Sequence, residues 1–402
     1  MYPSIATFLE KKSRLTWVLL CFFCLLLPVS ELHTQSLRSD FDDNGAVNFT
    51  DFILSAQAFG GSDSRFDLGG NGKVDFEDFV LFASDYGSNT TVVWTQLEVA
   101  NTGPTARFDH TLILDPARRQ LVLFGGKATN PLGDTWILDL DELVWREVPT
   151  ESSPEARRGH TAILDPVGDR MLVFGGEPAS RVFFNDVWEF NLKTETWRER
   201  SPSGERPVPR YGTSAIYDPV RNRMIVSHGF SSQGRFDDTW SFDLATHKWT
   251  DLTPPEPKPL KRCLHDAVYD TVNDRMLLGG GCSSGFGPCP QDDIWAFDLS
   301  TQRWTQLQFE ADHPGPLRNQ ALLFEPSGKR MVLFGGAESR AKSDTWSLDV
   351  SDDIWELISF QGQVPDARWS HKMVLDSARR RVLMWGGTSG SPVFDDLWEL
   401  TF

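Results

Sequence analysis

Two stretches near the start of this 402-residue chain space side-chain oxygens as a hard cation needs them. Asp40, Asp42, Asn44, Asn48 and Asp51 take the first, third, fifth, ninth and twelfth places of one stretch, with Gly45 sixth and Val47 eighth. Six to eight oxygens around a sharp glycine turn make a Ca2+ loop, and the Ala46 carbonyl adds a further ligand. Asp67, Asn71, Asp75 and Asp78 repeat the pattern downstream, with the Lys73 carbonyl in the place of Ala46. Gly69 stands third there and offers no side-chain oxygen, so the second loop is expected to bind more weakly or through water. Residues 31–88 hold 11 acidic and 3 basic residues. That density repels itself, and two Ca2+ would offset half of it.

Each loop is followed by a helix-like apolar run: Phe52, Ile53, Ala56 and Phe59, then Phe79, Val80, Phe82 and Ala83. This paired arrangement, closed by Asp rather than Glu, resembles the dockerin family. The resemblance implies a small α-helical calcium-binding module with Ca2+ as its cofactor and a docking role toward a cohesin-like or cell-surface partner. Cellulosome-type dockerins recognise partners through hydroxyl residues late in the loop and basic residues on the helix. Of Phe49-Thr50, Phe76-Glu77, Ala56-Gln57 and Ala83-Ser84, only Thr50 fits that pattern, so a calcium-rigidified spacer or anchor is an equal reading.

The rest of the chain is periodic. Arg-x-x-His or a close variant is read from Arg107, Arg158, Arg210, Arg262, Arg318 and Arg368, and an acid-proline turn such as Asp115-Pro116 follows. Next comes an apolar run ending in glycines, as in Leu121–Gly126, and then Asp-x-Trp at Trp136, Trp188, Trp240, Trp295, Trp346 and Trp398. A second series, Trp94, Trp145, Trp197, Trp249, Trp304 and Trp355, brings the total to 12 of the 15 Trp, which marks them as a packing device. Each unit reads as four short strands, and such sheets bury both faces only against neighbours arranged radially. The pattern resembles the kelch family and implies a mainly β chain: a six-bladed β-propeller over residues 89–402. Trp94–Leu97 copies Trp304–Leu307, an outer strand with no blade before it. Residues 91–98 are therefore expected to pair with 394–401 and close the ring, which removes its exposed edges.

Repetition bears on chemistry too. His110, His160, His265 and His371 invite a metal reading, but they recur at one place in the blades and are expected to be structural. The Arg series and Asp134, Asp186, Asp238, Asp293, Asp344 and Asp396 are read likewise. Ligand-binding residues are expected where the period breaks and in the loops after the glycines: Asn130, Arg181, His228, Arg235, Phe286 and Arg340, with Phe183 and Lys342 nearby. Arginines and aromatics converging on one face suit a glycan or a protein. A carbohydrate-active enzyme with its pocket at the channel mouth is the alternative. No H-E-x-x-H is present, and of the propeller's tyrosines, Tyr211, Tyr217 and Tyr269, the last two sit at the core position held by Leu114, against galactose-oxidase chemistry. A formal charge of −17 and a pI near 4.9 argue against a nucleic-acid partner.

Residues 1–30 read as an export signal: Lys11, Lys12 and Arg14 precede an uncharged apolar stretch, Leu15 to Leu27, too short for a span. The signal is either cleaved or kept as an anchor, and a secreted or cell-surface location is expected. Three cysteines follow it, Cys263, Cys282 and Cys289, of which Cys263 and Cys282 are the preferred disulfide because a hairpin around Asp270–Asp274 would set them face to face.

Overall fold

A computed structural model describes residues 38–42, 47–86, 92–180, 182–202, 204–283, 289–309, 312–360 and 362–402. The chain divides into two compact units, Met1–Thr90 and Thr91–Phe402.

In the first unit, helix α1 (Phe49–Ala58) starts at the Asn48 N-cap and helix α2 (Phe76–Asp85) at the Asp75 N-cap. Each helix is opened by a capping box that uses the aspartate at the twelfth loop place, Asp51 or Asp78. The eighth-place valines, Val47 and Val74, are buried, and Val47 packs with Phe41, Leu68 and Phe82 in one small apolar cluster. The loops and helices thus share one core, and the carboxylates that shape the loops also start the helices.

The second unit is a six-bladed propeller. Blade 1 is Thr111–Asp115, Gln120–Phe124, Thr135–Asp139 and Val144–Glu147, antiparallel from the channel outward. Four further blades begin at Thr161, Ser214, Asp266 and Ala321, and the sixth at Lys372. Strand Val93–Leu97 supplies the outer strand of blade 6, pairing Val93 with Thr401 and Leu97 with Leu397. The expected closure is therefore present. The sheet of blade 3 runs on through two short strands of blade 4, Arg262–Cys263 and Cys282–Ser283.

The second Trp series is buried between blades: Trp94, Trp145, Trp197, Trp249, Trp304 and Trp355 are each at most 8% exposed. The glycine pair lets blades approach. Gly125 and Gly126 have φ of +63° and +94°, and a Cβ on Gly125 would lie 2.9 Å from the Arg157 carbonyl oxygen of blade 2.

Around the channel, six residues of positive φ form a belt: Asp109, Gly159, Gly212, Leu264, Asn319 and Ser370. The amide N–H of each donates to the carbonyl of its counterpart in the preceding blade, and the last bond runs from Asp109 to Ser370, all at 2.8–3.1 Å. The ring is thus sealed twice, by an outer strand and by an inner circle of amides.

Candidate functional site

The repeated polar residues hold the blades together. Arg107, Arg157, Arg210, Arg262 and Arg368 are 0–1% exposed, and each grips the aspartate of its own blade through both guanidinium nitrogens. The contacts to Asp134, Asp186, Asp238, Asp293 and Asp396 run from 2.5 to 2.9 Å. The same arginines bond the carbonyls of Gly125, Gly175, His228, Gly280 and Gly386, and the tryptophan two residues past each aspartate donates its indole N–H to it. The carboxyl of Asp134 is pushed up by burial, but Arg107 and Trp136 outweigh this and hold it below its ordinary value.

The structure corrects the Arg register at two places. Arg157, not Arg158, faces Asp186, because the residue three before the buried histidine is the one aimed inward. In blade 5 that position is Leu317, not Arg318, so among the described residues Asp344 has no arginine of its own blade.

The four histidines are inter-blade wedges. His110 meets Trp385, His160 meets Phe124 and His371 meets Phe334, all edge-on with centroids 5.1–5.3 Å apart. His265 meets His228 at 5.5 Å. Burial pushes all of them down, His265 to about 3 and the others well below the usual histidine value, so they are neutral.

The sequence candidates divide accordingly. Asn130 and Arg340 are exposed on blades 1 and 5. His228, expected on the loop face, is instead fully buried at the first-glycine place of blade 3, where φ of +58° turns its ring under Trp304. Arg181 and Phe286 lie outside the described residues, as do Asn44 and Ala46.

Arg235 joins a cluster that the period did not reveal. Phe183, Tyr211 and Phe230 pack within 5.6–5.9 Å of one another, half-buried at the channel mouth. Arg235 lies over the Phe230 ring at 5.6 Å and Arg158 over Tyr211 at 5.4 Å. Arg158 is held by Asp109 at 3.0 Å and by Glu177. Burial is the main cause that raises the Tyr211 phenol to about 12, so it remains a neutral donor. Arg235 and Phe183 were candidates in the sequence, while the doubled Arg157-Arg158 and the tyrosine after Arg210 were the unread signals of the rest.

The cysteine expectation is also corrected. Cys263 and Cys282 are indeed register partners, yet the disulfide joins Cys282 to Cys289 and leaves Cys263 a buried thiol. Burial pushes that thiol up, against a hydrogen bond from Arg235. The Cα atoms of Cys282 and Cys289 are 4.4 Å apart, within bridging range, so opposition in register did not by itself decide the pairing.

One histidine–carboxylate pair lies between blades 4 and 5: His313 Nε2 is 3.3 Å from Asp292 Oδ1. The cavity beside it is about 20 Å³, far below the roughly 300–1,000 Å³ of small-molecule pockets.

In the helical unit, Asp40, Asp42 and Asp51 bring three carboxylate oxygens within 4.8 Å of one another, the one such acidic or histidine–cysteine cluster among the described residues. Asp51 is fixed by the amides of Phe41, Asp42 and Asn48 at 2.6–3.1 Å. These residues fit a hard divalent cation. In the second loop Asp78 accepts from Gly69 and Asp75, and Asp67 accepts from Asn71 and Gly72. Asp78 thus closes its loop through amides as Asp51 does in the first.

Residues 56–281 and 269–402 match the KLHDC2/KLHL20/DRC7 Kelch-repeats domain. The chain belongs to the kelch-repeat family. This kelch propeller is similar to Adagio-like protein 1 of Oryza sativa subsp. japonica, at 28% identity over 77% of the chain and 52% of that protein. It is also similar to Acyl-CoA-binding domain-containing protein 4 of Arabidopsis thaliana, at 26% identity over 75% of the chain and 47% of that protein. With the Rab9 effector protein with kelch motifs of Bos taurus it shares 27% identity over 51% of the chain and 56% of that protein. The chain spans about half the length of the curated relatives it matches.

Proposed function

We propose that the loop face of this kelch propeller is a protein-docking surface centred on Phe183, Tyr211, Phe230, Arg158 and Arg235. The observation that carries the reading is the half-buried aromatic cluster flanked by two stacked arginines. Aromatic rings and arginines are the side chains over-represented in interface cores, the rings because they bury much area at little entropic cost and arginine because its planar fork makes several charge-assisted bonds at once. A kelch relative named as an effector of Rab9 supports a protein ligand over a glycan. The cavity beside His313 and Asp292 gives a sugar substrate too little room. Panning a displayed peptide or protein library against the chain tests the reading. Binders should lose at least about tenfold in affinity to Phe183→Ala and Tyr211→Ala while both variants keep the wild-type melting temperature. Binders indifferent to both, or hits on a glycan array alone, would refute it.

The helical unit is read as a Ca2+-held docking module and the protein as exported. The carboxylate trio of the first loop supports the first statement, and the apolar stretch before residue 30 with the Cys282–Cys289 disulfide supports the second. When bound, the ion would supply charge neutralisation to Asp40, Asp42 and Asp51. Titration calorimetry should show Ca2+ binding that Asp42→Ala weakens at least tenfold, and equal binding by that variant would sink the assignment.

A further inference from the structure

Five blades carry the same guanidinium clamp, and blade 5 has a leucine where the others have the arginine. In blades 1 to 4 and 6 the arginine's receptor has three parts. They are the aspartate, the first-glycine carbonyl (His228 in blade 3) and the carbonyl two residues before the arginine: Thr105, Glu155, Val208, Leu260 and Asp366. In blade 5 the counterparts are Asp344, the Gly335 carbonyl and the Gly315 carbonyl, and Leu317 replaces the arginine. A leucine ends at Cδ, where the guanidinium of an arginine begins. The five gripped aspartate side chains are 16–24% exposed, whereas Asp344 is exposed outright. Among the described residues neither carbonyl accepts a side-chain donor, and no hydrogen bond joins Asp344 to Trp346, although the other five blades have that bond. Lys342, the nearest cation in sequence, is drawn to Glu338 at 3.8 Å.

We infer that Asp344, with the Gly335 and Gly315 carbonyls, is a slot for an arginine side chain presented by the docked protein partner. This deepens the reading of the loop face as a docking surface, since the slot lies in the same set of loops. Its chemistry follows from the chain itself: the same three acceptors hold a guanidinium five times over, with charge-assisted, two-pronged bonds that an ammonium reproduces poorly. A chain of charge −17 also draws a basic partner at long range. Removing the arginine from one blade of six converts an internal clamp into an external receptor.

Two experiments on the full chain test this. The first builds the missing clamp. Leu317→Arg should raise the melting temperature by roughly 2 °C or more, and the rise should vanish in the Asp344→Asn background. A fall in melting temperature, or a rise independent of Asp344, would overturn the slot. The second uses Nα-acetyl-arginine methylamide as probe, followed by ligand-observed NMR. Wild type should bind it saturably, Asp344→Asn should weaken binding at least about tenfold, Leu317→Arg should abolish it, and the citrulline analogue should not bind. Absence of saturable binding at tens of millimolar, or equal binding of citrulline, would also overturn it. Neither experiment involves Phe183 or Tyr211, so failure here leaves the aromatic docking site standing, and failure of the panning leaves the slot standing.

Discussion

Replacing Asp134 with Asn should cost this protein about 3 kcal/mol, whereas the same change at Asp344 should cost under about 0.5 kcal/mol. Arg107 is fully buried and gives Asp134 two bonds, at 2.5 and 2.8 Å, while Trp136 gives a third at 2.7 Å. An asparagine keeps the shape and one acceptor oxygen. It also turns an amide toward donors and leaves a buried charge uncompensated, which places the loss at the low end of about 3–5 kcal/mol for breaking a buried pair. Urea unfolding at pH 7, followed by tryptophan emission, measures both variants. The pH dependence supplies a second check. The folded-state value of Asp134 lies below the ordinary 3.8, so the stability it contributes is complete above that value. It is lost as pH falls through the lower folded-state value, and the gap between wild type and Asp134→Asn should close there. An Asp134→Asn protein within about 0.5 kcal/mol of wild type, or an Asp344→Asn protein equally damaged, would refute the clamp.

Acid should destabilise the propeller before its carboxylates titrate. The five buried histidines are neutral when folded and take up protons when unfolded below about pH 6.5, so stability should fall by about 1.4 kcal/mol per pH unit for each, as urea midpoints between pH 7 and 5 would show. Leu264 is the one bulky aliphatic residue in the channel belt and has φ of +60°. Leu264→Gly relieves a left-handed cost of roughly 1–2 kcal/mol and should leave the melting temperature unchanged or higher, despite the lost contact with Gly212. Non-reducing peptide mapping should find Cys282 joined to Cys289, and alkylation should reach Cys263 only in denaturant.

The blade number, the Trp packing, the closing strand and the two helices near the start of the chain were legible in the sequence because each rests on periodicity. The Arg–Asp clamp was legible only in outline. Where two arginines stand together, as at 157 and 158, the sequence does not say which one points inward. At 317 and 318 the eye follows the charge and misses the leucine that holds the register. His228 sits at a break in the period, which suggested a site, but the break is filled by an inward ring. The aromatic cluster was legible only in part: Phe183 and Arg235 were candidates, but their partners Tyr211 and Phe230 come from separate loops that only the folded face joins. The cysteine pairing failed for another reason: register sets which residues oppose each other, but Cys282 has two cysteines within reach and register does not choose between them.

The geometry of the closing strand bears on how the protein yields to tension. Val93 lies opposite Thr401, so a load applied between residues 92 and 402 acts on the same end of both strands. Such a load peels the pair one rung at a time, against about 1 kcal/mol per hydrogen bond, instead of shearing all rungs together. A tether acting through the preceding unit would therefore make this seam a mechanical fuse, unzipping at low force while the amide belt at the channel still holds the blades in a circle.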